Sequence, residues 1–297
     1  MNGFLNILKP PGMSSAAVVS VIRRLSGEKR TGHAGTLDPE AAGVLPIMVG
    51  QATRLFDYLV EKEKTYVAEC AFGQSTDTQD AQGQVLETGT RWPSLVEVRA
   101  AADRLTGLVW QRPGAYSAVK QDGRRLYARA RSGEQVEAPL RQVLIHEIRL
   151  QGETANHGVM MTVRCGRGTY IRSLCEDLGR LCGCPAHMRF LLRAQTGPFA
   201  LDTAITLEEA SAFAEEGTLG AHLLPMDWPL GHLPALELPE ALYRQARNGV
   251  SLPLSAFPAP EPPEGEPVRI LARDQFLGIA VRAENQMHWR IVIQDPT

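Results

Sequence analysis

The sequence predicts an α+β protein with a small β unit appended at its C-terminal end. Three observations carry this. Apolar runs of strand length recur between glycine- and proline-marked turns, as at Phe4–Leu8, Gly43–Gly50, Val143–Leu150 and Val159–Cys165. Helix-period segments separate them, as at Ala16–Leu25 and Leu95–Leu105. A stretch holding Pro253, Pro258, Pro260, Pro262, Pro263 and Pro267 then sets three short strands apart from the rest. At 297 residues the chain has length for roughly two domains and a real core.

Taken in order, Phe4–Leu8 is a strand that runs into the Lys9-Pro10-Pro11-Gly12 turn, and Ser14 or Ser15 caps the helix Ala16–Leu25. After the basic run Arg23-Arg24…Lys29-Arg30, the glycines of 32–43 favour a shaped loop, and Pro39 biases Asp38 towards an extended or turn conformation. Asp38 either caps the turn that starts at Pro39 or is a reactive acid at the mouth of the buried strand Gly43–Gly50. Thr53–Lys62 places Leu55, Phe56, Leu59 and Val60 at helical spacing, and Thr65–Phe72 alternates as a strand with Tyr66 near its start. Gln74–Thr90 is a polar loop leading to a hairpin, without the glycine and closing glutamate of a calcium loop. Leu95–Leu105 is an amphipathic helix.

Arg124–Arg131 reads as a helix with arginines along it and Tyr127 between them, suited to phosphate contacts and base stacking, or else a solvated face. Val143–Leu150 and Val159–Cys165 are strands, and Tyr170-Ile171-Arg172 opens a helix. A cation in a first turn is disfavoured by the helix dipole, so Arg172 calls for a partner anion. Thr206 and Glu209 form a capping box within Leu201–Glu216. Leu238–Asn248 is a short helix ending at Gly249, and Arg269–Ala272, Phe276–Arg282 and Met287–Ile293 are the strands of the appended module.

Composition narrows the class. No run of about 18 apolar residues exists to span a membrane, and the N-terminal residues lack the basic and apolar regions of a secretory signal. Five cysteines, an odd number and mostly clustered, fit reduced thiols in a cytoplasm. The spacing of Cys175, Cys182, Cys184 and His187 matches no usual zinc pattern, so these are read as core thiols. With a net charge of −2, nucleic-acid binding has to rest on local basic patches.

Gly32-His33…Gly35…Leu37-Asp38-Pro39…Ala41…Gly43-Val44-Leu45-Pro46 resembles the catalytic motif of the TruB-type tRNA pseudouridine(55) synthases. Four further segments match the family in its order: Lys9-Pro10…Gly12…Ser15; Lys64…Tyr66; Tyr116-Ser117-Ala118…Lys120…Gly123…Arg125-Leu126-Tyr127; and Gly168-Thr169-Tyr170-Ile171-Arg172. Together they cover nearly all of residues 3–200. Two departures stand out: Ser14 replaces a usual threonine, and Leu192 sits in a Leu-Arg-Arg-like stretch between Leu191 and Arg193.

The resemblance implies a pseudouridine synthase fold over 1–230, a mainly antiparallel sheet flanked by helices with the active cleft along the sheet. More weakly, it implies a PUA-like RNA-binding β barrel over 235–297. It implies that a uridine of the tRNA T loop leaves its stack and is isomerised from a C–N to a C–C glycoside, with an accompanying role in tRNA folding. Asp38, Tyr66 and Arg172 are then the catalytic residues. The resemblance implies Asp38 as the candidate nucleophile, attacking the base, attacking the sugar or assisting elimination, with Arg172 as the guanidinium fork that holds it and Tyr66 stacking on the uracil and handling a proton. Lys9, His33, Tyr170, Leu191, Arg125 and Lys120 are the implied substrate-binding residues. The chemistry calls for no cofactor or metal. The implied partner is the tRNA T-stem loop, with no membrane and no obligate protein partner, in the cytoplasm.

Two other classes compete with this expectation. A non-catalytic RNA-folding protein would keep the fold without needing Asp38, Tyr66 and Arg172 together. A carboxylate glycosidase would need a second acid, for which Glu40 is the nearby candidate.

Overall fold

The computed structural model describes residues 1–59, 63–117, 119–121, 124–126, 129, 134, 136–155, 157–257 and 261–293. Its strands begin with β1 (Gly3–Lys9), β2 (Thr31–His33), β3 (Ala42–Val49) and β4 (Lys64–Phe72). A hairpin of β5 (Gln74–Thr76) and β6 (Val85–Thr88) follows, then β7 (Gly107–Gln111) and a ribbon of β8 (Lys120–Gln121) and β9 (Arg124–Arg125). The long pair β10 (Arg141–Thr154) and β11 (Gly158–Cys165) precedes β12 (Ala186–Thr196) and β13 (Phe199–Ala200). The last five are β14 (Ala235–Glu237), β15 (Leu252–Pro253), β16 (Pro267–Ala272), β17 (Gln275–Ala283) and β18 (Gln286–Val292).

The main sheet runs β1-β3-β12-β4-β11-β10-β7, with β2 added beside β3 and β13 beside β12. All of its pairings are antiparallel except that of β12 with β3. At that parallel crossing Gly43 lies opposite Arg193, and its φ is 117°. A Cβ there would run into the Arg193 backbone, so only glycine lets the two strands meet.

Residues 42–49 are apolar throughout because β3 is covered on both faces. With a period of two, Leu45, Ile47 and Val49 join Leu5 and Ile7 in one core, closed by Val18, Val19 and Ile22 of the helix Ser15–Ser26. Val44, Met48 and Phe4 point the other way into a second core with Leu55, Phe199 and Leu230. Helices Leu95–Arg104, Ile171–Cys182 and Leu207–Glu215 complete the cover, the last with the expected capping box of Thr206 and Glu209.

The C-terminal strands form a separate sheet, β14-β16-β17-β18-β15, around its own core of Leu236, Leu252, Val268, Ile270, Leu277 and Met287. Among the described residues no pairing closes β14 on β15, so this unit is an open half-barrel, not the closed barrel expected. It is also tied to the main body. Ile279, Ile291 and Ile293 enter the second core beside Phe4, and Arg54 Nη1 donates to the Val292 carbonyl at 2.6 Å.

Several expected elements change form. The helix expected over Thr53–Lys62 is a 3-10 helix, Gly50–Tyr58, and residues 60–62 lie outside the described residues. Of the helix expected over Arg124–Arg131, Arg124 and Arg125 pair with Lys120 and Gln121 instead, while Leu126 and Arg129 are helical as expected. Tyr127 and Arg131 lie outside the described residues. The helix Leu238–Asn248 shortens to a 3-10 turn, Glu240–Leu242, and one α turn, Tyr243–Arg247. Strand β12, central to the sheet, was not expected at all. Irregular register between Met188 and Phe190 and between Arg193 and Gln195 breaks the alternation that marks a strand. Among the described residues no helix is long and apolar enough to cross a membrane.

Candidate active site

The loop between β2 and β3 is held from below by two cations. Lys9, at the end of β1, is fully buried and donates to the carbonyls of Pro10 (2.8 Å), Met13 (2.6 Å) and Pro39 (2.8 Å). Arg193, on β12, is equally buried and donates to the carbonyls of Val44 (2.8 Å), Gly35 (3.1 Å) and Thr36 (3.3 Å). A charge inside a protein is tolerated when such dipoles satisfy it. Burial still pushes the Lys9 pKa down to about 8, against the opposing pull of Glu40 and Asp38.

The helix Ser15–Ser26 adds a third tie. Ser14 caps it, its hydroxyl accepting from Ala17 N at 3.1 Å, which leaves Ser15 free for the loop. The Ser15 hydroxyl accepts from Leu37 N at 2.9 Å and donates to Leu37 O at 3.0 Å. Ala41 N closes the next turn on Asp38 O at 3.1 Å. Asp38 therefore projects from a loop fixed on both sides of it.

Its carboxylate meets Arg172 from the first turn of the helix Ile171–Cys182. Arg172 Nε donates to Oδ2 at 2.8 Å and Nη2 to Oδ1 at 3.3 Å, a bidentate fork. The same guanidinium reaches Thr78 O and Tyr116 O, each at 3.1 Å. The anion called for by a cation at a helix start is thus Asp38 itself. The Thr78 carbonyl is presented by a tight turn in which Gln79 takes a φ of 63° and accepts from the Ser173 hydroxyl at 3.1 Å.

Two hollows meet at this pair, and Asp38, Arg172 and Leu191 line both. The smaller, about 170 Å³, is walled by Tyr66, Tyr170, Thr169 and Lys64. The larger, about 330 Å³, is walled by Glu40, Thr78, Asp80, Tyr116 and Arg189. Tyr66 is buried, and burial raises its pKa to about 12 against the opposing guanidinium of Arg193. At neutral pH its ring is a flat apolar wall that carries a protonated hydroxyl. Burial likewise raises Tyr170, opposed by Arg141 and Arg172. Gln111, almost fully buried, holds the Tyr170 backbone by accepting from its N–H at 2.8 Å and donating to its carbonyl at 3.0 Å.

Five expected site residues therefore come together: Asp38, Tyr66, Arg172, Tyr170 and Leu191. Lys9 and His33 line neither hollow. Lys9 spends its ammonium on loop carbonyls, and His33 Nδ1 accepts from Gly35 N at 3.3 Å. The backbones of Lys120 and Arg125 pair with each other, while their side chains lie outside the described residues. Sequence reasoning missed Arg193, Ser15 and Gln111 as parts of the site. Two of them had a visible signal: Ser15 closes the Lys9-Pro10…Gly12…Ser15 motif, and Arg193 is the arginine of the Leu-Arg-Arg-like stretch.

Comparison with known proteins shows the family of the chain. Residues 23–171 match the TruB family pseudouridylate synthase N-terminal domain, and residues 172–231 the tRNA pseudouridylate synthase B C-terminal domain. The chain is 41% identical over 289 residues to tRNA pseudouridine synthase B of Alkaliphilus oremlandii, covering 97% of this chain and 95% of that one. It is 42% identical to tRNA pseudouridine synthase B of Bacillus subtilis, covering 85% and 84%. Among solved structures, the crystal structure of a Cbf5-Nop10-Gar1 complex holds a chain of similar fold (TM-score 0.72, 26% identity, 98% of this chain and 84% of that one).

Proposed function

The chain belongs to the TruB family of pseudouridylate synthases and is a tRNA pseudouridine synthase, and from that premise we propose that it isomerises uridine 55 of the T loop with Asp38 as nucleophile. In this reaction the N1–C1′ bond breaks, the uracil turns, and C5 bonds to C1′. The proton on C5 leaves and N1 ends with one, so atoms balance without an oxidant, a reductant or a cofactor. The bidentate bond from Arg172 is the observation that carries the assignment, because it aims an acid, half-open to solvent, into a pocket the size of a base.

The target base leaves the T-loop stack to enter that pocket. Tyr66 stacks on the uracil and its hydroxyl relays the C5 proton, passing its own proton on as it takes that one, with Arg193 beside it to steady negative charge on the phenol oxygen. Tyr170 and Leu191 form the walls against the base. Lys120 and Arg125 contact the RNA backbone. Lys9 and His33 act on the substrate through the loop that carries Asp38.

Residues 1–230 make up the catalytic domain and 235–297 a PUA-like RNA-binding domain, a division supported by the separate core of the second sheet. The Cbf5 chain belongs to a complex; this chain works in the cytoplasm on tRNA without an obligate protein partner. Holding the tRNA elbow open gives it an accompanying role in tRNA folding. Glu40 lines the larger hollow with Asp38, but the family match supports the synthase reading over a glycosidase. The deciding experiment is incubation with unmodified tRNA and mapping of the product, with Asp38→Asn alongside. The isosteric amide keeps the shape but not the nucleophile, so this variant should bind tRNA and form no pseudouridine. Product at more than a few per cent of the wild-type rate refutes the assignment.

A further inference from the structure

Lys64 opens β4 and shares a face with Tyr66, since side chains two apart on a strand point the same way. It is the residue common to the catalytic hollow of about 170 Å³ and a second hollow of about 120 Å³, which Gly35, Phe56, Asp57 and Arg167 also line. Among the described residues neither the Lys64 ammonium nor the Arg167 guanidinium has a hydrogen-bond or ion-pair acceptor. Asp57, which is exposed, is the one acid lining the second hollow, so two cations face one carboxylate there.

Burial lowers the Lys64 pKa, and Arg193 and Arg167 press the same way, with only Cys165 opposing. A part-buried ammonium held among like charges costs the fold free energy that a bound anion would return. Distance supplies the identity of that anion. Two residues along a strand span roughly 7 Å, and one sugar separates a nucleotide's base from its phosphate. An RNA whose uracil lies on Tyr66 therefore brings an adjoining phosphate to Lys64.

We propose that Lys64, assisted by Arg167, forms a phosphate subsite that grips a phosphodiester adjoining the flipped uridine. This rests on the pseudouridine synthase reading and adds to it the group that seats the backbone while the base reacts. It also gives the second hollow a use, as the exit for the strand beside the target nucleotide.

The test uses T-stem-loop RNA carrying a neutral methylphosphonate at the 5′ or the 3′ linkage of the target uridine, one at a time. Wild-type protein should bind one of the two RNAs about ten-fold more weakly than the unmodified RNA. Lys64→Met should lose the same ten-fold on unmodified RNA and nothing further on that methylphosphonate, and its log–log salt slope should fall by about 0.7. Lys64→Arg should restore most of the affinity. Equal penalties for wild type and Lys64→Met at both linkages overturn the proposal, as does an unchanged salt slope. If Lys64→Met does not fold, the same comparison with Arg167→Gln decides, and full additivity at both linkages overturns it. Failure of the underlying reading shows separately, as wild-type protein that binds the unmodified RNA but makes no pseudouridine.

Discussion

Replacing Tyr66 by phenylalanine separates the two jobs assigned to that side chain. The ring stays, so stacking on the uracil is kept and RNA affinity should remain within about two-fold of wild type. The hydroxyl goes, and with it the group that Arg193 faces. The structural cost is small, because Arg193 keeps its bonds to Val44, Thr36 and Gly35. Loss of one buried hydroxyl contact costs about 1 kcal/mol, or roughly 2–4 °C in Tm for a chain of this size. The chemical cost is large if the hydroxyl moves a proton, about 10²–10⁴-fold in rate, which is about 3–5 kcal/mol of barrier. Tyr66→Leu loses the ring as well, and should bind RNA about ten- to a hundred-fold more weakly.

Single-turnover rate at saturating RNA, affinity and Tm for the two variants read these apart. Since burial holds the Tyr66 pKa near 12, the phenol stays protonated from pH 6 to 9, and no limb of the wild-type pH–rate profile in that range belongs to it. A Tyr66→Phe protein with near wild-type rate refutes the proton-handling role and leaves Tyr66 a platform. If both variants chiefly lose thermal stability, the side chain is a core tyrosine and no more.

Lys9 should show in stability against pH. With its folded pKa at about 8 and an ordinary value of 10.5, the folded chain has released a proton between those values that the unfolded chain still holds. Unfolding free energy therefore gains from Lys9 as pH rises across that window; the Tm difference between wild type and Lys9→Met should track it, and a difference independent of pH refutes it. Truncation after Leu233 should weaken tRNA binding while the saturated single-turnover rate changes little, since the proposed catalytic residues precede it. The same truncation should also lower Tm, because Ile279, Ile291 and Ile293 leave Phe4 and Leu230 uncovered. Intact Tm after truncation would mean that the shared core contributes nothing. Chelators should leave the rate unchanged, as no cluster of metal-ligating side chains exists among the described residues; stoichiometric zinc lost together with activity would count against this.

Local patterns in the sequence were enough for much of this protein. Apolar runs of strand length mark β1, β3 and β11, the Thr206–Glu209 box marks a helix start, and the glycines and prolines of 32–46 mark the shaped loop that carries Asp38. The unfavourable place of Arg172 at a helix start called for an anion, and that inference needed no coordinates. The dipole leaves open which anion; the family resemblance implied Asp38, and the folded structure brings the two together across 134 residues of sequence. It also decided the roles of Lys9 and Arg193. The sequence implied substrate binding for Lys9 and no role for Arg193, and both are buried because carbonyls from the loop and from distant turns replace their water. Strand β12 escaped notice for a related reason: its bulges shift the alternation, and its central arginine is polar in sequence yet interior in space. A pattern of residue types reports how each segment meets water on average. Where a charge is satisfied by backbone dipoles brought from elsewhere in the chain, only the folded arrangement holds that information.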